Sequence, residues 1–593
     1  MRKFIILLLF ISVTIIFSQS EKNKIPGFYI SPYFNEQVVS FNYSPEIEIT
    51  INAPSLEKFN SEKPVSIILY ALPNGNTTEQ TIGKDMEEGD DWHFNIQHIG
   101  AQTRFLRELK TDENIVVVYL ENELKSWPAW KAKYQQHDKI IKELVNYIRE
   151  IFSPYKNSIV ITGHSGGGRF TFSFIDAYKN IPDFVKRISF LDSNYGYETK
   201  YGEKLVTWLN SNNENYLSTF AYNDSIALYK GKRFVSDTGG TWYRTKMMQK
   251  FLAESLKFKS TEDTSFIKHE SLEGRVKLIL KKNPDRKILH TVQVELNGFI
   301  HAMLTGTEYE NRGYEYYGER AYTKWIQKEK EFIRPLKIPP RLNNAISGSG
   351  FMNSISNLDF EAREKRILKE ISEGNIPDFL RKLSCIESEF KDADGNIHSV
   401  KYKVMPDYLA IGSDEDFCRI PMGPIIAQKI ADLFGASLPT PKFVDDIYKH
   451  ADVKLEPQFY TPVENQNELV SKFILHNRDI EAQRKKRKCN LGQLTSGIKK
   501  DIVICSKLSD TTRTHHVTIY GWHKLEDGKR IQPVYNGHID SYVDYSHGIR
   551  LIKSEVVIDS KIMQIGEVLR DSILYKVFSN EDKPLNMIKY KIK

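Results

Sequence analysis

Gly163-His164-Ser165-Gly166-Gly167 is the stretch whose residue types and spacing best suit chemistry. It follows the apolar, β-branched run Ser158 to Thr162 and precedes a helical pattern that opens at Gly168. Strand, tight turn and helix in that order lift a serine hydroxyl clear of a sheet edge. Residues two before and two after the serine must be small, because a side chain there meets neighbouring backbone. The helix start also aims main-chain amides at the serine, so the N–H of Gly166 is an expected donor to an oxyanion. A hydroxyl so placed does nucleophilic acyl chemistry once a base takes its proton.

A second concentration lies far downstream. His515, His516, His523, His538 and His547 fall with Asp540, Asp544, Tyr542 and Tyr545 within one short stretch. Three readings are open for it. A metal or second hydrolytic centre would draw on His523, His538, Asp544 and His547, though His516 and His523 point to opposite faces if they share a strand. A glycan or cell-wall binding face would use Trp522, Tyr535 and Tyr545 for stacking. The preferred reading is a structural domain whose polar side chains satisfy one another, with no metal and no cofactor assigned.

The elbow and its flanks resemble the α/β-hydrolase superfamily over roughly Pro64 to Arg334. The resemblance implies a triad in chain order nucleophile, acid, histidine. It places the base at His301, in Asn297-Gly298-Phe299-Ile300-His301, after an expected last strand at Leu289 to Leu296; His290, within that strand, is read as structural. For the acid, Asp224 ends the strand before the histidine and is preferred, with Asp192, which ends the strand after the elbow, as the alternative. One of the two carboxylates must therefore lie within reach of the His301 ring. The second oxyanion donor is expected from Asn74 or Gly75, after Tyr70-Ala71-Leu72; this loop departs from the His-Gly-Gly-Gly of many lipases. The run Asp91 to His98 would either line a substrate entrance or serve packing. Together these imply a serine hydrolase acting on small or polymeric acyl substrates, esters or peptides. A surface-binding protein with an inactive hydrolase fold is the alternative.

Elements that would position these residues alternate. Strands are expected at Val65 to Leu72, Ile115 to Leu120, Ile159 to Thr162, Ile188 to Leu191, Leu217 to Tyr222 and Leu289 to Leu296. Helices are expected at Thr103 to Lys110, Asp138 to Ile151, Gly168 to Lys179 and Thr241 to Leu256. Such alternation predicts an α/β fold, a mostly parallel sheet with helices on both faces. Val38 to Phe41 and Ile47 to Ile51 suit an edge hairpin. Breakers from Pro335 to Gly350 suggest a linker at 337–355 between a hydrolase domain, 21–336, and a separate C-terminal α+β domain, 356–593. Helical patterns there cover Phe360 to Ser372 and Pro424 to Phe434.

At 593 residues the chain exceeds what one core usually holds. Met1 to Ser20, with Arg2, Lys3 and an apolar run to Phe17, has the plan of a secretory signal peptide, so the mature protein is expected outside the cytoplasm with no membrane span. The formal charge of +7 becomes +5 once those two cations leave (7 − 2), too little to indicate nucleic acid. The basic run Arg484 to Lys488 reads as a solvated loop. Cys385, Cys418, Cys489 and Cys505 are compatible with one or two disulfides and lack the spacing of a zinc or redox motif. Oligomeric state is not set by any of these features.

Overall fold

The computed structural model describes residues 23–330, 332–461 and 463–592. The signal-peptide segment Met1 to Ser20 lies outside them. The chain forms two compact units that meet in sequence at Phe332.

The first unit is built on eleven strands, β1 (Tyr29–Ile30), β2 (Glu36–Tyr43), β3 (Ile47–Ser55), β4 (Val65–Ala71), β5 (Asn114–Asn122), β6 (Asn157–His164), β7 (Val185–Leu191), β8 (Tyr216–Tyr222), β9 (Lys259–Glu262), β10 (Phe266–Ser271) and β11 (Val276–Lys281). Their order across the sheet is β1-β2-β3-β5-β4-β6-β7-β8-β11-β10-β9. From β5 through β11 every neighbour is parallel, and antiparallel strands flank both ends. The central strands are buried along nearly their whole length, which suits a parallel sheet covered on both faces.

Among its helices are α1 (Ile99–Leu109), α2 (His137–Ile151), α3 (Gly168–Asp176), α4 (Thr199–Ser211), α5 (Thr241–Leu252), α6 (Val292–Glu295) and α7 (Gly298–Leu304). Successive residues of a strand face opposite ways, and the packing follows that rule. Leu191 at the end of β7 shares a cluster with Leu106 of α1 and Phe299 of α7. Its neighbour Phe190 stacks instead on Phe172 of α3, with ring centroids 5.1 Å apart.

One expected strand is absent. Leu289 to Leu296 contains the short helix α6, and the last parallel strand is β11, whose Val-Lys-Leu-Ile-Leu-Lys run pairs with β8. A hairpin of β9 and β10 extends the sheet beyond it.

In the second unit the helices Phe360–Ser372 and Pro424–Phe434 form where expected. A β-hairpin, Ser384–Lys391 with Ile397–Val404, joins them. The segment 337–355 is no linker: Ile338, Phe351, Met352 and Ile355 are buried in this unit's core. Its prolines and glycines mark turns, while the apolar residues between them find partners. All four cysteines are free thiols; the Sγ atoms of Cys418 and Cys489 face backbone carbonyls of Arg419 and Arg487 rather than another sulfur. Among the described residues no helix is long and apolar enough to cross a membrane.

Phe190→Ala would empty a fully buried ring site between sheet and α3. The expected cost is about 3 to 5 kcal/mol, read as a lower denaturant midpoint for the first unit's transition.

Candidate active site

The turn after β6 has the shape that the motif requires. Ser165 sits in the left-handed region, with φ of 55°. Gly163 and Gly167 both lie so close to the Ala71 carbonyl oxygen at the end of β4 that a Cβ at either would overlap it. Gly166 packs in the same way against the Asn74 carboxamide. The expected oxyanion loop is therefore beside the elbow. Its two residues differ, however: the Gly75 N–H donates to the Lys125 carbonyl at 2.8 Å, so that amide is already committed and Gly75 is not the second donor.

The histidine expected as base is elsewhere. His301 lies inside α7, with Nδ1 meeting the Tyr314 hydroxyl at 3.0 Å and its ring stacked on Tyr316 at 4.8 Å. Phe220 closes on it edge-on, and burial pushes its pKa down to about 4. It lines a cavity of about 890 Å³ with Lys277, Glu310 and Tyr314, and neither Ser165 nor His290 borders that space. Neither candidate carboxylate reaches the His301 ring, so the grouping Ser165, Asp224 and His301 is not assembled.

His290 is the histidine brought to the elbow. Its Nδ1 lies 2.5 Å from Oδ2 of Asp192. The Nε2–H of His164, the residue before Ser165, donates to the His290 carbonyl at 3.1 Å, and the two rings lie 4.4 Å apart. His290 is 23% exposed at its side chain while Asp192 is fully buried. This is a half-open imidazole on a buried carboxylate, the arrangement that fixes a histidine's tautomer and orientation. His290 stands in the loop after β11, between Lys281 and α6, so it does follow the last parallel strand.

Asp192 is held from its own backbone outward. Its φ is 46°, and its N–H donates to the Phe220 carbonyl on β8 at 2.7 Å. Asp224, by contrast, is engaged by the start of α5: the Thr241 N–H donates to its Oδ2 at 2.8 Å. Burial and the Asp192 charge raise Asp224 to about 6. Gln102 of α1 fixes the α6–α7 stretch that follows the His290 loop, donating to the Val294 carbonyl and accepting from the amides of Phe299 and Ile300. Within the stretch 91–98, Trp92 stacks on His93 in an exposed loop and Gln97 accepts from the buried Tyr70 hydroxyl. Packing accounts for the inner half of that stretch.

Of the second unit's candidate ligands, His523 stands apart, whereas His538, Asp544 and His547 gather around Tyr542. His523 pairs with Asp445 at 3.1 Å and stacks on Tyr448. His538 stacks on Tyr542. Asp544 accepts from the Ser546 amide and from the Tyr542 hydroxyl, and His547 is buried nearby. Among the described residues no group of three or more ligands is placed to hold a metal ion. Trp522 and Tyr545 are buried, 6% and 4% exposed, so they offer no stacking surface to a glycan; Tyr535 is the exposed one.

No protein-family model and no curated protein sequence matches the chain. Solved structures with a similar backbone include a thermostable esterase, 13% identical, with 46% of this chain and 63% of that one covered and a TM-score of 0.29. The siderophore hydrolase EstB from Aspergillus nidulans is 13% identical over 48% of this chain and 98% of its own, with a TM-score of 0.26. Oligopeptidase B from Leishmania major is 10% identical over 46% and 36%, with a TM-score of 0.24. The match spans less than two thirds of the esterase's own length. The parallel sheet with helices on both faces, the serine elbow after β6 and the histidine loop after β11 give the first unit the α/β-hydrolase fold.

Proposed function

We propose that this chain is an exported serine hydrolase in which Ser165 is the nucleophile, His290 the general base and Asp192 the acid that orients it. The observation that carries the reading is the 2.5 Å contact of His290 with Asp192 beside the strained elbow. Nδ1–H of His290 donates to Asp192, which leaves Nε2 free of its proton and able to take the one from the Ser165 hydroxyl. The alkoxide attacks an acyl carbon, and the main-chain amides of Gly166 and Asn74 receive the charge that develops on oxygen. His290 then returns the proton to the leaving group, and water, activated by the same ring, releases the acyl chain. Esters and peptides both meet these requirements. Export rests on the amino-terminal sequence alone.

Labelling by a fluorophosphonate probe tests the assignment without a known substrate. Wild-type protein is expected to label and Ser165→Ala to lose the label. His290→Ala should slow labelling by at least about 10³-fold, while His301→Gln labels at close to the wild-type rate. Loss of label in His301→Gln together with retention in His290→Ala would overturn the assignment.

His301→Gln should have a separate, acid-side effect on stability. The folded ring titrates at about 4, whereas the unfolded one titrates near 6.5. Between those values the unfolded chain binds a proton that the folded chain refuses, so wild-type stability falls as pH drops through that window. Gln at 301 removes this term, at most about 3 to 4 kcal/mol. Denaturant midpoints of the two proteins at pH 7 and pH 4.5 give the comparison.

A further inference from the structure

His290 uses one oxygen of Asp192. The other, Oδ1, accepts from the Thr241 hydroxyl. Thr241 is the first residue of α5, and its main-chain N–H donates to Oδ2 of Asp224 at 2.8 Å, with its hydroxyl 3.4 Å from the same oxygen. A single threonine thus bridges the carboxylates that end β7 and β8. All three residues are buried. Close approach is built into the backbone as well, because a Cβ at Gly240 would overlap the Asp224 carboxylate.

The arrangement is directional. A hydroxyl has one proton to give, and here it goes to Asp192. Asp224 is then left with main-chain amides of the helix start. Two carboxylates so close in a buried site disfavour each other's charge.

We propose that Thr241 is a positioning residue for the base: it holds Asp192 in the orientation that receives His290 and, with Asp224, sets how strongly Asp192 draws a proton onto that ring. This rests on the Ser165, His290 and Asp192 reading. Thr241 acts on His290 through Asp192 and does not touch substrate. Other titratable groups facing the site are Tyr195 after β7, Tyr222 on β8, and Tyr316 and Tyr317 beyond α7; burial pushes all four phenols up, so they stay neutral. His164, against the His290 ring, is held neutral by burial.

The test is the second-order rate of fluorophosphonate labelling of the full chain as a function of pH, whose acid limb reports protonation of the base. Thr241→Val keeps the shape and removes the donor. Labelling is expected to slow about tenfold, the scale of one hydrogen bond to a charged group. The limb should move up by about 0.5 pH unit, because an Asp192 without that donor attracts the imidazolium more strongly. Thr241→Ser should restore both. Asp224→Asn, which removes a neighbouring negative charge, should move the limb down, and it carries the test if the valine variant does not fold. A labelled wild type with the same rate and limb in Thr241→Val, or the same limb in Asp224→Asn, would overturn the role of Thr241 alone. Folded wild type that takes no label would overturn this inference and the Ser165 reading together.

Discussion

Everything at this site depends on how closely the turn after β6 can approach the end of β4. The two strands are parallel neighbours with Ala71 opposite Gly163, and the Ala71 carbonyl lies where side chains at 163 and 167 would be. Only glycine lets the chain pass and begin α3 at once. Ser165, at the apex, is held in a backbone region that costs a serine about 1 to 3 kcal/mol. The sheet around it supplies the offset, since β4, β5 and β6 are buried over most of their length. The same approach brings the 73–75 loop beside Gly166 and turns the helix start toward the hydroxyl.

Much of this was legible because it is local. β-branched runs gave the central strands to within three residues at each end, and the elbow was readable from its glycines. The histidine that sits beside the elbow was not, for a reason that lies in one segment. Leu289 to Leu296 carries apolar residues at 289, 292, 294 and 296, a spacing that fits a strand, yet one turn of helix buries Val294 and Gln293. Val276 to Lys281 is the better strand by pattern, and giving it that place would have moved the loop, and the histidine in it, to His290. The choice between acids had no sequence signal. Both aspartates end parallel strands and both are buried. What separates them is that the first turn of α5 docks on Asp224, a contact between residues 224 and 241 that periodicity does not express.

The second unit shows the limit of reading composition as chemistry. Five histidines in one stretch left a metal centre open beside the preferred structural reading; His523 goes to Asp445 and Tyr448, while His538 and His547 flank Tyr542 without forming a metal-binding group among the described residues. Its interior also holds a buried charge cluster. Arg419, 1% exposed, donates to Asp407 at 2.6 Å and to Glu481 at 2.9 Å. Such triads are costly to desolvate and costly to break, so they specify packing without implying a reaction. The segment taken for a linker belongs to the same core, because chain breakers mark changes of direction and not the edge of a folded unit.

Asp192 and Asp224 together set a cost on the site. Asp224 titrates near 6 when folded, against about 3.9 for an unperturbed aspartate. A carboxyl raised in this way binds a proton more tightly folded than unfolded, so stability is lost as pH rises from about 4 to 6. At about 1.4 kcal/mol per unit, the loss at neutral pH reaches at most roughly 3 kcal/mol. Removing either charge would recover some of it. The fold keeps both, with a hydroxyl on one and a helix start on the other, and so a fully buried Asp192 carboxylate is kept against a half-open imidazole. For the proposed acyl transfer, a preorganised acid and base beside a strained serine would be worth more than the stability they forgo.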